Sequence, residues 1–295
     1  MHPFFFGGIM RCTVLVENSS EREDLVSQHG FSLFIETSGN TILLDAGQDD
    51  TFARNAVVLG KDITSVSAAV CSHAHYDHAG GFCSFCSINK TAPVYTYWKP
   101  GTLCFSTAHA APGEGPRFIG WSGADTCKDR IRVISRSAPE QIVPGIWIIP
   151  VVVHNGALPY KDKMLFIEQD GRMMPDDFTH ECVLAAETQK NGSAGFALFN
   201  SCSHSGVINT IESVRHFFPR IPVFSYTGGF HFPWNRGETI PQEDLTGMDE
   251  LASYTASSCM ELYSGHCTGE GAQEYLEDLC GSRFHRLHTG MIFSV

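Results

Sequence analysis

Three histidines and an aspartate fall within six residues at His73-Ala74-His75-Tyr76-Asp77-His78, directly after the apolar run 66–71 and just before Gly80-Gly81. No other stretch constrains the chain so tightly. Side chains alternate in an extended segment, so His73 and His75 share one face. A turn beyond them brings Asp77 and His78 back toward that face. Imidazole and carboxylate in this mixture are ligands for borderline divalent metals such as zinc. Four side chains do not complete two metal sites, so further ligands are expected from distant parts of the chain.

The chain holds 14 histidines, and its strand-like runs show where those ligands lie. Run 196–200 leads into Cys202-Ser203-His204-Ser205-Gly206 and a helical stretch over 207–217. Run 223–226 leads into Gly228-Gly229-Phe230-His231. Run 260–263 leads into Gly265-His266-Cys267-Thr268-Gly269 and a helix over 273–279. With the first motif, an apolar strand stops four times at a His beside Gly or Ser. Carboxyl ends of strands are where open α/β sheets place their sites. His204, His231 and His266 are therefore the expected suppliers. The other histidines considered, His109, His154, His180, His216, His285 and His288, read as surface or core residues. His154 draws notice because it ends the strand predicted over 146–153.

Further strands are predicted over 11–17, 31–36, 41–45, 164–168 and 182–187, with Ser38-Gly39-Asn40 as a tight hairpin turn. A helix is expected over 51–59 and another after Gly80-Gly81. Segment 98–130 is rich in Gly and Pro and reads as a long functional loop or lid. It offers Arg117, Phe118 and Trp121 for anion contact and ring stacking. No linker divides the chain, so residues 10–295 are expected to form one α/β domain of two sheets with helices outside, after an extension over 1–9.

The balance of 20 basic and 32 acidic residues, net −12, argues against nucleic acid as a partner. It permits a small anionic substrate, because a metal reverses the local sign. No apolar run approaches the ~20 residues of a membrane span. Eleven cysteines include one C-x-x-C pair, Cys83 and Cys86, without a second pair to close a structural zinc site. They read as mostly buried free thiols in a reducing cytoplasm. Cys202 and Cys267 read as small packing residues beside the ligands.

The H-x-H-x-D-H run after an apolar strand, preceded by Leu43-Leu44-Asp45-Ala46-Gly47, resembles the metallo-β-lactamase superfamily. Leu15-Val16-Glu17-Asn18, His29-Gly30-Phe31-Ser32 and the three strand-end motifs extend the resemblance over nearly the whole chain. They are similar to the dihydropterin-ribofuranosylaminobenzene phosphate synthase subfamily. The resemblance implies an αβ/βα sandwich of two mixed sheets with outer helices and the metals at one sheet edge. It implies His73, His75 and His204 around one metal, and Asp77, His78 and His266 around a second. Asp45 would orient the motif loop by hydrogen bonds. His231 would orient substrate or support a ligand. No carboxylate stands out as a bridge between two metals, so one or two divalent ions are implied, zinc first, with iron, manganese or nickel as alternatives.

Three functions fit this reading. A hydrolase would use a metal-activated water against an ester, lactone, amide or phosphoester, with Asp77 also holding that water. A synthase-like enzyme would hold a diphosphate leaving group while an aromatic carbon attacks the methylene of a dihydropterin. A metal-binding sensor would be catalytically idle. The resemblance in every strand-end motif favours the second kind, an enzyme acting on a phosphorylated or otherwise anionic heterocyclic substrate.

Overall fold

A computed structural model describes residues 8–99, 101–108, 113–258 and 260–295. His109 and residues 1–7 of the expected extension lie outside the described residues. The first part of the chain runs β1 (Arg11–Val16), β2 (Ser32–Glu36), β3 (Thr41–Leu44), α1 (Thr51–Val58), β4 (Ala68–Val70), α2 (Tyr76–Ala79), α3 (Phe82–Ile88) and β5 (Val94–Thr96). Next come β6 (Leu103–Ser106), β7 (Arg117–Phe118), β8 (Ile131–Val133), β9 (Glu140–Val143), β10 (Ile146–Pro150), β11 (Leu165–Gln169) and β12 (Arg172–Pro175). The last part is β13 (Cys182–Lys190), β14 (Ser193–Phe199), α4 (Val207–Phe217), β15 (Val223–Thr227), α5 (Gln242–Ser258), β16 (Glu261–Ser264), α6 (Glu270–Cys280), β17 (Phe284–Arg286) and β18 (Ile292–Ser294).

Two mixed sheets carry the fold, ordered β18-β1-β2-β3-β4-β5-β8 and β17-β16-β15-β14-β13-β10-β9. The inner strands of each sheet are buried on both faces, so alternate residues feed different layers. Cys12 and Val14 of β1 meet Ile148 of β10, Leu184 and Ala186 of β13 and Phe199 of β14 between the sheets. Leu15 and Phe34 point outward under Phe52 of α1 and Phe82 and Phe85 of α3. Val183, Ala185 and Leu198 point the other way, under Ile211 of α4, Met248 and Leu251 of α5 and Leu276 of α6. The result is the expected αβ/βα sandwich. Each such fully buried aliphatic or aromatic side chain contributes about 1.5–3 kcal/mol relative to exposure.

No predicted run marks strands β5, β8, β9, β12, β17 and β18, and two larger departures stand beside them. Segment 98–130 is not loop throughout: among its described residues β6 and β7 pair antiparallel and join β11 and β12 in a third sheet, ordered β12-β11-β6-β7. The strands are short, and β6 pairs with β11 across a long sequence gap, so no local period announces them. Helix α5 lies where no helix was expected. Gly247 and a Ser/Thr-rich end obscure it, yet Asp244, Met248, Leu251, Ala252 and Thr255 form its buried stripe. Among the described residues no helix is long and apolar enough to cross a membrane.

Candidate metal centre

The parallel strands β3 and β4 of one sheet and β14, β15 and β16 of the other open their carboxyl ends onto one cleft. The chain turns sharply at each end. Asp45, Ser203, His231 and His266 all take left-handed backbone, with φ of 55°, 58°, 50° and 52°. Non-glycine residues pay for that conformation, about 1 kcal/mol or more each, and it clusters at functional sites. Here it turns Asp45, His231 and His266 back toward the cleft.

Donor atoms of His73, His75 and His204 lie within 4.8 Å of one another. Their Nε2 atoms are buried and have no hydrogen-bond partner. An orphaned buried imidazole nitrogen costs free energy unless something binds it. Two of the far sides are held: His73 Nδ1 lies 2.8 Å from the Ser72 hydroxyl, and His204 Nδ1 lies 2.8 Å from Asp162 Oδ1. That leaves Nε2 facing inward.

In the second set, Asp77 Oδ2 lies 3.6 Å from His78 Nε2 and 3.5 Å from His266 Nε2. The two imidazole nitrogens are 3.0 Å apart. Three ligands at ~2.1 Å from one tetrahedral ion would stand about 3.4 Å from one another. The spacing fits a metal. Asp45 Oδ2 holds His78 Nδ1 at 2.7 Å, and Asn18 Oδ1 holds His266 Nδ1 at 3.1 Å. In four of the five imidazoles, those of His73, His204, His78 and His266, the outer nitrogen thus faces an oxygen, the arrangement that orients metal-binding histidines.

Asp45 serves both sets. It accepts the backbone N–H of Ser72 at 2.7 Å and the Ser72 hydroxyl at 2.6 Å, and that hydroxyl faces His73. Burial, reinforced by neighbouring imidazoles, holds His73, His75, His204 and His266 well below the ordinary imidazole value of 6.5. Neutral imidazole is the metal-binding form. Burial alone would raise Asp77, but His78, His29 and His266 outweigh it and hold the carboxyl well below its usual range.

His231 stands beside His204, ring centroids 4.2 Å apart, and its Nδ1 is 2.8 Å from the same Asp162 oxygen. Burial disfavours its charge, yet Asp162 wins and lifts it to about 9. Arg117 reaches the cleft from β7, where it contacts the Tyr76 phenol. Phe118, the next residue on the strand, is exposed and packs on Phe105 instead. Trp121 corrects expectation: it is 5% exposed and packs edge-on to Trp98, beside Phe82, in the hydrophobic layer rather than in the cleft wall. His154 is exposed.

Several residues of the site carry no spacing signal. His29 lies 3.2 Å from Asp77 and covers His266, ring centroids 5.2 Å apart; it was visible only as part of the His29-Gly30-Phe31-Ser32 stretch. Asp162 comes from the short 3-10 turn Tyr160–Met164 before β11. Glu181 accepts the backbone N–H groups of His204 and Ser205 at 2.8 and 2.9 Å, fixing that turn. His180, read as surface or core, is buried and pairs with Asp176 at 3.0 Å behind His75.

Residues 28–97 match the family model described as the metallo-beta-lactamase superfamily. A Methanocaldococcus jannaschii protein named 7,8-dihydropterin-6-methyl-4-(beta-D-ribofuranosyl)-aminobenzene-5'-phosphate synthase is 27% identical over 281 residues, 90% of each chain. A second protein of that organism, the uncharacterized MJ0448, is 25% identical over 96% of this chain and 99% of its own. The crystal structure of Tm1679, described as a metal-dependent hydrolase of the beta-lactamase superfamily, superposes with a TM-score of 0.77 at 24% identity, covering 97% of this chain and 99% of that one. The matched motif region and the two-sheet fold make this chain similar to the metallo-β-lactamase superfamily, whose fold it shares.

Proposed function

We propose that the chain is a metal-dependent enzyme of the synthase-like kind, acting on a phosphorylated or otherwise anionic heterocyclic substrate. The observation that carries this reading is the convergence of two three-donor sets beside one cleft whose rim carries Arg117. His73, His75 and His204 would hold one divalent ion, and Asp77, His78 and His266 a second, zinc first among the candidates. Such ions supply Lewis acidity toward phosphoryl oxygens and lower the pKa of a neighbouring water. Arg117 presents a planar donor fork suited to a phosphate or diphosphate group. Asp77 holds its negative charge at the cleft floor. His231, kept protonated by Asp162, donates toward substrate oxygen and orients it. The likeness to a named synthase over nine-tenths of the chain supports a synthase-like reaction on a phosphorylated compound. Free thiols on buried cysteines support a reducing, cytoplasmic setting.

Thermal-shift screening of the metal-loaded protein against diphosphate, triphosphate and phosphorylated pterins tests the proposal, beside a panel of simple esters and phosphodiesters. Anions should raise Tm by mass action, and the esters should turn over feebly. Hydrolysis in the ordinary enzymatic range, on the order of 1–1000 per second, without protection by anions would overturn it in favour of a hydrolase.

A further inference from the structure

Among the residues lining the cleft, Asp77 supplies the carboxylate and Cys202 and Cys267 supply two thiols. By sequence alone both cysteines are packing residues, but the structure gives them ligand neighbours. Cys202 Sγ lies 3.2 Å from His78 Nε2. The donor atoms of Cys202, His73 and His78 all lie within 4.8 Å of one another. His73 belongs to the first set and His78 to the second, so the Cys202 sulfur is within reach of a donor from each. On the other side, the donors of Cys202, His266 and Cys267 again lie within 4.8 Å of one another. Cys267 Sγ accepts the backbone N–H of His231 at 3.3 Å. Gly229 makes room for that sulfur: a Cβ at this position would collide with it and come within 2.8 Å of the Ser201 carbonyl.

Charge points the same way. Two divalent ions touched directly by one carboxylate, with Asp45 and Asp162 only behind the imidazoles, would keep uncompensated positive charge in a buried pocket, which is costly. Thiolates lower that cost, and sulfur binds zinc-like ions readily.

We infer that Cys202 and Cys267 are sulfur ligands of the centre, Cys202 between the two ion positions and Cys267 beside His266. The site is then a mixed thiolate, imidazole and carboxylate centre selective for thiophilic divalent ions over magnesium or calcium. The inference rests on the centre holding metal.

Cobalt(II) loading separates the two statements. Bound cobalt should show its visible d–d bands together with a sulfur-to-cobalt charge-transfer absorption in the near ultraviolet. Cys202→Ser and Cys267→Ser should each remove part of the charge-transfer absorption while cobalt stays bound. Cobalt bound with d–d bands and no charge transfer overturns the thiolates and leaves the metal reading standing; no bound cobalt overturns both. Wild-type protein gives an answer without variants. With iodoacetamide and peptide mapping, Cys202 and Cys267 should be alkylated on the order of tenfold or more slowly in the zinc-loaded than in the chelator-treated protein. Cys83 and Cys86, which are partly exposed, should react alike in both. Equal labelling of Cys202 and Cys267 with and without zinc overturns the inference.

Discussion

Asp45 accepts hydrogen bonds from the Ser72 backbone and hydroxyl and pairs with His78, so replacing it loosens one ligand of each set at once. Asp45→Asn is expected to lower metal affinity roughly 10–100-fold. Competition with a chromophoric chelator measures this, and an unchanged affinity would contradict the role. His73→Ala and His204→Ala should each empty the same ion position despite their distance in sequence, as read by metal analysis after dialysis. If His204→Ala kept the ion that His73→Ala loses, the shared set would be wrong. The histidines of both sets were legible because each sits where an apolar run stops beside a small residue. Asp162, Glu181 and His29 were not. A carboxylate in a connecting segment acquires its meaning from the partner folded against it, and Asp162 meets His204 across 42 positions.

The third sheet assigns opposite roles to residues that sequence placed together. β7 puts Arg117 at the cleft, while the chain beyond it turns Trp121 into the layer beneath. Tyr76 N–H donates to the Ile119 carbonyl at 2.8 Å, which fastens the motif loop to this sheet. Arg117→Ala should weaken diphosphate binding by about 1.5–3 kcal/mol, the range for a hydrogen bond to a charged group, with little change in stability. Trp121→Ala should do the reverse and cost about 3–5 kcal/mol of stability, seen in urea unfolding. If Trp121→Ala unfolded like wild type, its place in the core would be contradicted. Most strands of the two main sheets were readable because they are apolar runs bounded by turn residues, whereas β5, β8, β9, β17 and β18, of three or four residues each, were not. β6 and β7 have four and two residues, and their pairing is settled by β11 rather than by their own composition.

At the scale of the whole molecule the imidazoles make stability depend on pH. His73, His75, His204 and His266 stay neutral in the fold but would take up protons near 6.5 in the unfolded chain. Below that pH the unfolded chain binds more protons, so the metal-free fold loses about 1.4 kcal/mol per pH unit for each group that titrates only when unfolded. His231 acts on the other flank. Raised to about 9, it stabilises the fold fully below 6.5 and ceases to do so as pH climbs through 9. The Tm of the metal-free protein should therefore peak near neutral pH, and a Tm that rises steadily into acid would refute this. The order in which the site is made has a further consequence. His78 and His266 are 188 positions apart, yet their Nε2 atoms are 3.0 Å apart. A ribosome must finish most of the 295-residue chain, and both sheets must close, before His266 can join His78. An ion shared by the two is then a certificate of completed assembly. Metal per polypeptide in a purified batch would count the correctly built molecules in it.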